Sequence, residues 1–490
     1  MSPAIFRLHS TLITALLLLL QAGCAMNPVT RQQDFVLMSE QQELALGAEA
    51  AELVAKQMPL LADNDPLVRY VNRVGNRVAA VSDRPSLSYR FHVVDDATIN
   101  AFALPGGYVY VNRGLLVHFN SEAELAAVLG HEIGHVTTRH AVQRHSKTQA
   151  YQIGVAIASI FAPGAAQAAS SVTDMVAMAV IQGYGREAEL QSDELSLKYI
   201  QAAGYDARAT INLLETIERL DGIGDMEKRD AGETVQHYHG AFASHPDTKS
   251  RIEAAVARAV AMQKGQGHTS GQAMLAALES YPYGDSPDQG AVIGQRFIHP
   301  KLGIQLAFPP DWVIKNSTQS LTARKRQEEV FFQLATAELQ KREPAADILR
   351  QLLSKQRLTH IDQGVREGFS FAHTELDLST DSIKQARLFA TVALDGPRAY
   401  VMYMWTHAQS FARHRPDFAS IDNSFRRFVG KEIDVPRITL HVWKQGDSWR
   451  GLGNKNGMLL GRFTAERLAA LNGMDVRQQP RPGDVVKLVN

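Results

Sequence analysis

The stretch "LGHEIGHVTTRH", residues 129–140, places two histidines four apart with a glutamate directly after the first. In an α-helix, such histidines differ by about 40° around the axis and about 6 Å along it. The side chains of His131 and His135 can therefore reach one ion, and Glu132 lies beside that ion, where it can accept a proton from water. The pattern predicts a catalytic zinc site, although it also arises by chance in polar helices without a metal.

The start of this helix is visible in the sequence. Ser121 followed by Glu124 forms a capping-box pattern, and we expect one helix over residues 121–145. Gly130 and Gly134 each weaken a helix by about 1 kcal/mol relative to alanine. Their presence indicates that another backbone or a substrate approaches this face closely.

A catalytic zinc site needs a third protein ligand, and cysteine is not available because Cys24 is the only one. In "GREAELQSDE", residues 185–194, Glu189 and Asp193 lie four apart on a helix that we expect to end at Gly204. Glu189 would complete a His-His-Glu set for one Zn²⁺ per chain, with the fourth position open. Asp193 would accept the second ring N–H of a ligating histidine. The alternative is that both carboxylates are ordinary solvated charges.

Four motifs occur in one order: "NAFALPGGYVYVNRGLL" (100–116), "LGHEIGHVTTRHAV" (129–142), "GREAELQSDELSLKYI" (185–200) and "SHPDTKSRI" (244–252). Together they resemble the membrane-linked zinc endopeptidases related to the CAAX prenyl proteases, above all their soluble periplasmic branch. The resemblance covers about residues 40–260. It implies zinc ligation by His131, His135 and Glu189, with Glu132 as the general base and Asp193 beside a ligand.

The resemblance also implies two further parts of the site. His245 matches a histidine on a mobile loop, which either occupies the open zinc position and holds the enzyme inactive or stabilises the developing oxyanion. A structural role at a helix start, with Pro246 in the first turn, is the alternative. A strand next to the site would pair with an extended substrate by strand addition. That strand contains Gly107, Tyr108, Val109 and Tyr110.

The N-terminus has the pattern of an export signal. Arg7 and His9 precede the apolar run at 11–20, which is about half as long as a membrane span. The following "QAGCA" resembles a bacterial lipobox with lipid attached to Cys24, although Gln21 stands where leucine is usual. Ala25 after the cysteine resembles sorting to the outer membrane, so we expect a periplasmic lipoprotein anchored there. An ordinary signal peptide cut nearby is the alternative.

The fold class predicted is α+β with several domains. After a signal peptide at 1–23, we expect a mainly helical peptidase domain with a small β-sheet at 24–263, of the gluzincin type that the resemblance implies. Its uncharged stretch 153–173 is predicted to form two packed helices and not a membrane span. A linker at 264–292 follows, and then a small α+β sandwich at 293–430 of unknown role. The opening of the sandwich, residues 297–314, resembles the PsbP/Mog type.

The last segment, 435–490, resembles a β-α-β LysM module, a type that binds the glycan chains of peptidoglycan. The motifs that carry this resemblance are "ITLHVWKQGDSW" (438–449), "FTAERLAALNGMD" (463–475) and "PRPGDVVKLV" (480–489). The segment departs from the pattern at 452–462, where we expect irregular structure in place of a regular first helix. A capping domain without glycan binding is the alternative.

The composition narrows the classes of partner. Apolar residues make up 45%, and Lys plus Arg (51) equals Asp plus Glu (51), so no nucleic-acid partner is expected. We predict a zinc metalloendopeptidase that acts in the periplasm on unfolded or misassembled envelope proteins, with the membrane as its anchor and peptidoglycan as a further partner. One alternative is a mainly non-catalytic envelope chaperone whose zinc site His245 holds shut. Another is a peptidoglycan-binding factor.

Overall fold

The computed structural model describes residues 24–149, 175–176, 179–180, 183–233, 248–261, 271–318, 320–356, 358–378, 383–460 and 462–490. The predicted signal peptide, the stretch 153–173 and His245 lie outside these residues, and so does the side chain of Cys24. Within the described ranges, no helix combines the length and apolar character that crossing a membrane requires.

The first part of the chain is mainly helical, as predicted. Its elements are β1 (Cys24–Met26), β2 (Gln33–Phe35), α1 (Glu40–Gln57), α2 (Pro66–Ala79), β3 (Arg90–Val94), β4 (Ala101–Leu104), β5 (Tyr108–Asn112), α3 (Arg113–Leu116), α4 (Glu122–Thr137), α5 (Arg186–Ala202), α6 (Ala209–Ala231), α7 (Thr248–Ala261) and α8 (Gly271–Leu278). Residues of α2, α4, α5, α6 and the small sheet share one buried apolar core.

The small sheet has the order β3-β5-β4, and this order corrects the prediction of a substrate-binding strand. Strand β5 pairs in parallel with β3 along one side and antiparallel with β4 along the other. Tyr108, Val109 and Tyr110 are therefore on a central strand, whose backbone already has two neighbours, and Gly107 lies in the turn before it. A substrate cannot add beside this strand, because strand addition needs a sheet edge.

The two glycines of α4 allow the close packing that the sequence predicted. A Cβ at Gly130 would lie 3.1 Å from Ser196 Oγ and 3.3 Å from its Cα, and one at Gly134 would lie 3.1 Å from Ser192 Cα. Ser196 also donates its hydroxyl to the carbonyl of Ala127 at 2.7 Å. Because small residues face each other on α4 and α5, the two backbones approach closely enough for side chains to share a site.

Helix α4 begins as predicted but ends earlier. Ser121 caps it by accepting a hydrogen bond from the backbone N–H of Glu124. The predicted single helix over 121–145 is wrong, because α4 ends at Thr137 and residues 140–149 are helical after a break. The break is at Arg139, which has a left-handed backbone with φ of 60°. This reversal changes the direction of every side chain that follows it.

Part of the predicted linker at 264–292 is packed structure. Helix α8, residues 271–278, buries Met274, Leu275 and Leu278. Two of these, Met274 and Leu278, belong to the same apolar core as α4. The Gly- and Ser-rich composition indicated a linker. A few apolar residues are nevertheless enough to pack one short helix against the core.

The α+β part contains β6 (Ala291–Ile293), β7 (Arg296–His299), β8 (Ile304–Ala307), β9 (Trp312–Asn316), β10 (Leu321–Lys325), β11 (Phe331–Glu338), α9 (Ala345–Leu352), β12 (Asp362–Arg366), β13 (Phe369–Leu378), β14 (Ala386–Asp395), β15 (Arg398–His407), α10 (Phe411–Ser424) and β16 (Arg426–Arg427). One sheet has the order β12-β13-β14-β15-β11-β10-β9, and the other has β16-β8-β7-β6. An aromatic-rich core that includes Trp312, Phe332 and Phe418 is shared by strands of both sheets and α10.

The C-terminal segment consists of β17 (Ile438–Val442), α11 (Trp449–Leu460), α12 (Thr464–Leu471) and β18 (Val485–Val489), with β17 antiparallel to β18. The predicted irregular structure at 452–462 is corrected, since α11 covers most of it. Trp443, Trp449 and Leu468 belong to the same apolar core as α4. The segment is therefore packed onto the N-terminal part.

Candidate metal centre

The structure brings His131, His135 and Glu189 together from two helices. The two Nε2 atoms of the histidines are 3.0 Å apart. Glu189 Oε2 lies 3.4 Å from Nε2 of His131, and its Oε1 lies 3.6 Å from Nε2 of His135. All three residues are buried, with Glu189 fully so. Helix α4 supplies the histidines one turn apart, and the close approach of α5 supplies the carboxylate.

This donor set fits a zinc ion. Zinc holds nitrogen and oxygen ligands at about 2.0–2.2 Å in tetrahedral geometry, which separates neighbouring ligand atoms by about 3.3–3.6 Å. The distances of 3.0, 3.4 and 3.6 Å lie close to that range. Two imidazole nitrogens that face each other at 3.0 Å also need a proton or a cation between them. His131, His135 and Glu189 are thus the residues that would hold the metal.

Asp193 and Arg251 surround the His131 side of the centre. Asp193 Oδ1 lies 2.9 Å from Nδ1 of His131, the contact that the sequence predicted for it. Arg251 forks onto the same carboxylate, with its Nε 2.7 Å from Oδ2 and its Nη2 2.7 Å from Oδ1. Its Nη1 is also 3.2 Å from Glu189 Oε2. One guanidinium therefore joins α7 to both carboxylates of α5.

The electrostatics of this side favour positive charge. Burial opposes protonation of His131, but its hydrogen bonds to Asp193 and Glu189 outweigh burial and raise its pKa to about 9. Burial likewise opposes ionisation of Asp193, but the Arg251 charge and its hydrogen bonds lower the pKa of that carboxyl to about 2. A site that attracts a proton this strongly also attracts a metal cation, which would take the place of that proton.

The His135 side has neutral neighbours. His135 Nδ1 lies 2.9 Å from Nδ1 of His140, and the other ring nitrogen of His140 lies 3.0 Å from Gln191 Oε1. Tyr184 stacks on the His135 ring with centroids 4.2 Å apart. Burial lowers the pKa of His140 to about 4, so this ring is neutral at physiological pH. The structure buries His140 against a predicted ligand.

Glu132 is fully buried one residue after the first histidine. Together with His131 it lines a cavity of about 20 Å³ between α4, α5 and α6, room for a single water molecule. A buried carboxylate at this point, next to space for water, is suited to accept and return a proton during hydrolysis.

Some predicted site residues are not brought together, and some contributors were missed. The stretch Gly107–Tyr110 forms a turn and part of a central strand, and His245 lies outside the described residues. Arg251 and His140 were missed, although both lie within the motifs that the sequence singled out. The signal for Arg251 is the arginine in "SHPDTKSRI" (244–252), and the signal for His140 is the third histidine in "LGHEIGHVTTRH" (129–140).

A helix with the HExxH pattern, joined by a glutamate from a second helix, defines a centre of the zinc metalloprotease class. Residues 67–259 match the model of Peptidase family M48. The chain therefore carries a domain of peptidase family M48. The matched region includes His131, His135 and Glu189.

Curated relatives share this region. The chain is 29% identical over 226 residues to the Beta-barrel assembly-enhancing protease of Yersinia pestis, which covers 42% of this chain and 46% of that protein. It is 30% identical over 228 residues to the Mitochondrial metalloendopeptidase OMA1 of Schizosaccharomyces pombe, which covers 46% of this chain and 63% of that protein. The chain thus spans less than two thirds of the length of each relative.

A solved structure, cyanobacterial PsbP from Synechocystis sp. PCC 6803, is 14% identical and covers 28% of this chain and 95% of its own, with a TM-score of 0.24. A score this low carries no argument. The PsbP-type resemblance of the sandwich therefore stays a prediction, and so does the LysM character of the C-terminal segment.

Proposed function

We propose that this chain is a zinc-dependent endopeptidase that hydrolyses unfolded or misassembled envelope proteins in the bacterial periplasm. The observation that carries the reaction type is the meeting of His131, His135 and Glu189, with Glu132 buried beside them. The substrate class is supported by the name of the Yersinia pestis relative, which refers to β-barrel assembly. The compartment is supported by the export-signal pattern before Cys24 and the lipid anchor proposed on it.

The reaction follows from the residues around the centre. A bound zinc ion supplies Lewis acidity that polarises the peptide carbonyl and makes the attacking water more acidic. Glu132 accepts the proton from that water as the water attacks the carbonyl carbon, and it then delivers the proton to the leaving amine nitrogen. Asp193 holds the ring of His131 in place through the Nδ1 atom of that ring.

Substitution of Glu132 tests this proposal. In Glu132→Gln, casein hydrolysis should fall by about 100-fold or more, because an amide cannot accept the proton, while zinc content measured by metal analysis stays at one per chain. Glu187→Gln is the matched control, since Glu187 lies exposed on α5 and should retain full activity. Removal of zinc with a chelator should abolish hydrolysis, and addition of Zn²⁺ should restore it. Full activity of Glu132→Gln would exclude its role as the base.

The proposal includes two finer parts. His245 would hold the resting enzyme latent, so His245→Ala should raise casein hydrolysis; an unchanged rate would contradict latency. The C-terminal segment would bind glycan, so the full chain should be retained on purified peptidoglycan. Zinc binding without proteolysis in both wild type and His245→Ala would favour the alternative of a non-catalytic envelope chaperone.

A further inference from the structure

We propose that His140 is a positioning residue for the metal centre: it fixes the ring of His135 through an imidazole-to-imidazole hydrogen bond, and the left-handed residue Arg139 brings it there. This inference rests on the zinc site proposed above. It concerns a residue that neither ligates the metal nor takes part in proton transfer.

The hydrogen bonds that link His135, His140 and Gln191 have one consistent assignment of donors and acceptors. His135 faces the other ligands with Nε2, so its proton is on Nδ1, which donates to Nδ1 of His140 at 2.9 Å. Nδ1 of His140 must then be the unprotonated nitrogen, and its proton is on Nε2, which donates to Gln191 Oε1 at 3.0 Å. Each donor meets one acceptor, so Gln191 fixes the tautomer of His140 and His140 fixes that of His135.

An uninterrupted helix would not place His140 here. Residues five apart in an α-helix differ by about 140° around the axis, so His140 would point away from His135. The left-handed backbone at Arg139 ends α4 and turns the chain back, at a cost of about 1–2 kcal/mol for a residue other than glycine. Strain of this kind persists only where surrounding contacts hold it.

Buried ion pairs hold Arg139 in this conformation. Its Nε donates to Glu43 Oε2 at 2.8 Å, and Nη1 of Arg84 donates to Glu43 Oε1 at 2.8 Å. All three side chains are at least nine-tenths buried, and Glu43 comes from α1. These ion pairs hold Arg139 in place, and the position of Arg139 determines where the next residue, His140, lies.

The partner of His135 differs in charge from the partner of His131. Asp193 is a carboxylate, which makes His131 more basic, whereas His140 orients its ligand without adding negative charge. His140 therefore controls geometry on its side of the site.

Two variants that differ by one methylene test the proposal. The amide oxygen of Asn occupies about the place of a histidine Nδ1, whereas the amide of Gln reaches only the place of Nε2. His140→Gln should weaken zinc affinity by about 10–100-fold, measured by competition with a chromogenic chelator, and His140→Asn should stay within about threefold of wild type. The visible absorption of the Co²⁺-loaded protein should change in His140→Gln and be retained in His140→Asn.

Gln191→Met gives a second measurement in case a His140 variant does not fold. Gln191 is half-buried, and its loss removes the acceptor that fixes the His140 tautomer, so zinc affinity should fall severalfold with an unchanged melting temperature of the metal-free protein. Equal zinc affinity in wild type, His140→Gln and Gln191→Met would overturn the inference. Equal losses in His140→Asn and His140→Gln would also overturn it, because packing alone would then explain the effect.

These outcomes are separate from those of the proposed function. If wild type binds no zinc, both proposals fail. If wild type binds zinc tightly and Glu132→Gln remains proteolytic, the assigned base fails while the His140 series still decides the inference. If Glu132→Gln behaves as expected and the His140 variants match wild type, only the inference fails.

Discussion

The two ends of helix α4 both bury charge, but they do so with different partners. At the C-terminal end, the guanidinium of Arg251 is paired with the carboxylates of Asp193 and Glu189. At the N-terminal end, the ammonium of Lys487 is fully buried and donates to the backbone carbonyls of Val117 and Phe119 at 2.6 and 2.7 Å. The first cation forms ion pairs with carboxylates, whereas the second donates its hydrogen bonds to backbone carbonyls and interacts with the Glu124 carboxylate only through its charge.

Because of this difference, the C-terminal end of α4 can exchange one bound cation for another, whereas the N-terminal end cannot. A proton or a metal ion can bind between carboxylates and histidines that contact each other, so the C-terminal end of α4 is suited to bind an ion. At the N-terminal end, the carbonyls of Val117 and Phe119 lie just after α3. Among the described contacts, their donor is Lys487, which lies 370 residues further along the chain than Val117. That end attaches the C-terminal segment to the helix that carries the metal ligands.

The largest expected effect is at the C-terminal end of α4. In the metal-free protein, Arg251→Met should lower the free energy of unfolding by about 3–5 kcal/mol, because it removes the buried guanidinium that pairs with two buried carboxylates. Urea denaturation followed by circular dichroism measures the change. Arg258→Met on the same helix is the control: its pair with Glu194 is exposed and should be worth at most about 1 kcal/mol. Similar losses of unfolding free energy in Arg251→Met and Arg258→Met would show that the buried pairs of the site stabilise the fold no more than an exposed surface pair.

A smaller loss is expected at the N-terminal end. Lys487→Met keeps the apolar stem but leaves the carbonyls of Val117 and Phe119 without donors, which should cost about 2–3 kcal/mol by the same denaturation. The exposed Lys444, also in the C-terminal segment, provides the control Lys444→Met, which should change stability by about 0.5 kcal/mol or less. An unchanged free energy of unfolding in Lys487→Met would show that the C-terminal segment is held by its apolar contacts alone.

The smallest expected effect is a pH dependence at the N-terminal end. Burial and the Lys487 charge lower the pKa of His118 to about 3, although its hydrogen bond to the carbonyl of Gly114 opposes them. The unfolded chain therefore takes up this proton below about pH 6.5 while the folded chain does not, so stability is lost as pH falls. One such group removes about 2 kcal/mol between pH 7 and pH 5.

Comparison of wild type with His118→Asn isolates this contribution. The variant should lose about 2 kcal/mol less than wild type over the same pH interval, measured by urea denaturation at each pH. His360→Asn, which changes an exposed histidine, should follow wild type. Parallel pH profiles for wild type and His118→Asn would show that His118 is not held neutral by burial next to Lys487.

Much of the metal centre was predictable because it depends on local helix geometry. The four-residue spacings of His131 with His135 and of Glu189 with Asp193 fix which side chains share a face, whatever the rest of the chain does. The glycines at 130 and 134 indicated that another element packs closely against α4, and the structure shows that this element is α5. The start of α4 at Ser121 also followed from a local capping pattern.

The errors come from features that local patterns do not encode. Arginine gives no sign of a left-handed backbone, so the break at Arg139 and the return of His140 were missed. Strand order depends on which distant segments pair, so Tyr108–Tyr110 were predicted to face a substrate when they lie on a central strand. The composition of 264–292 suggested a linker with one short helical turn, and it did not show that the helix at 271–278 is packed into the core.

By itself, the sequence determined the chemistry of the site: which residue types are present, and which of them a helical repeat of 3.6 residues aligns. Only the tertiary structure decided their partners. Arg251, Glu43 and Lys487 act across 58, 96 and 370 residues of chain. Such contacts are selected by the burial of charge, which becomes costly only once the surrounding core has formed, and no short stretch of sequence contains that information.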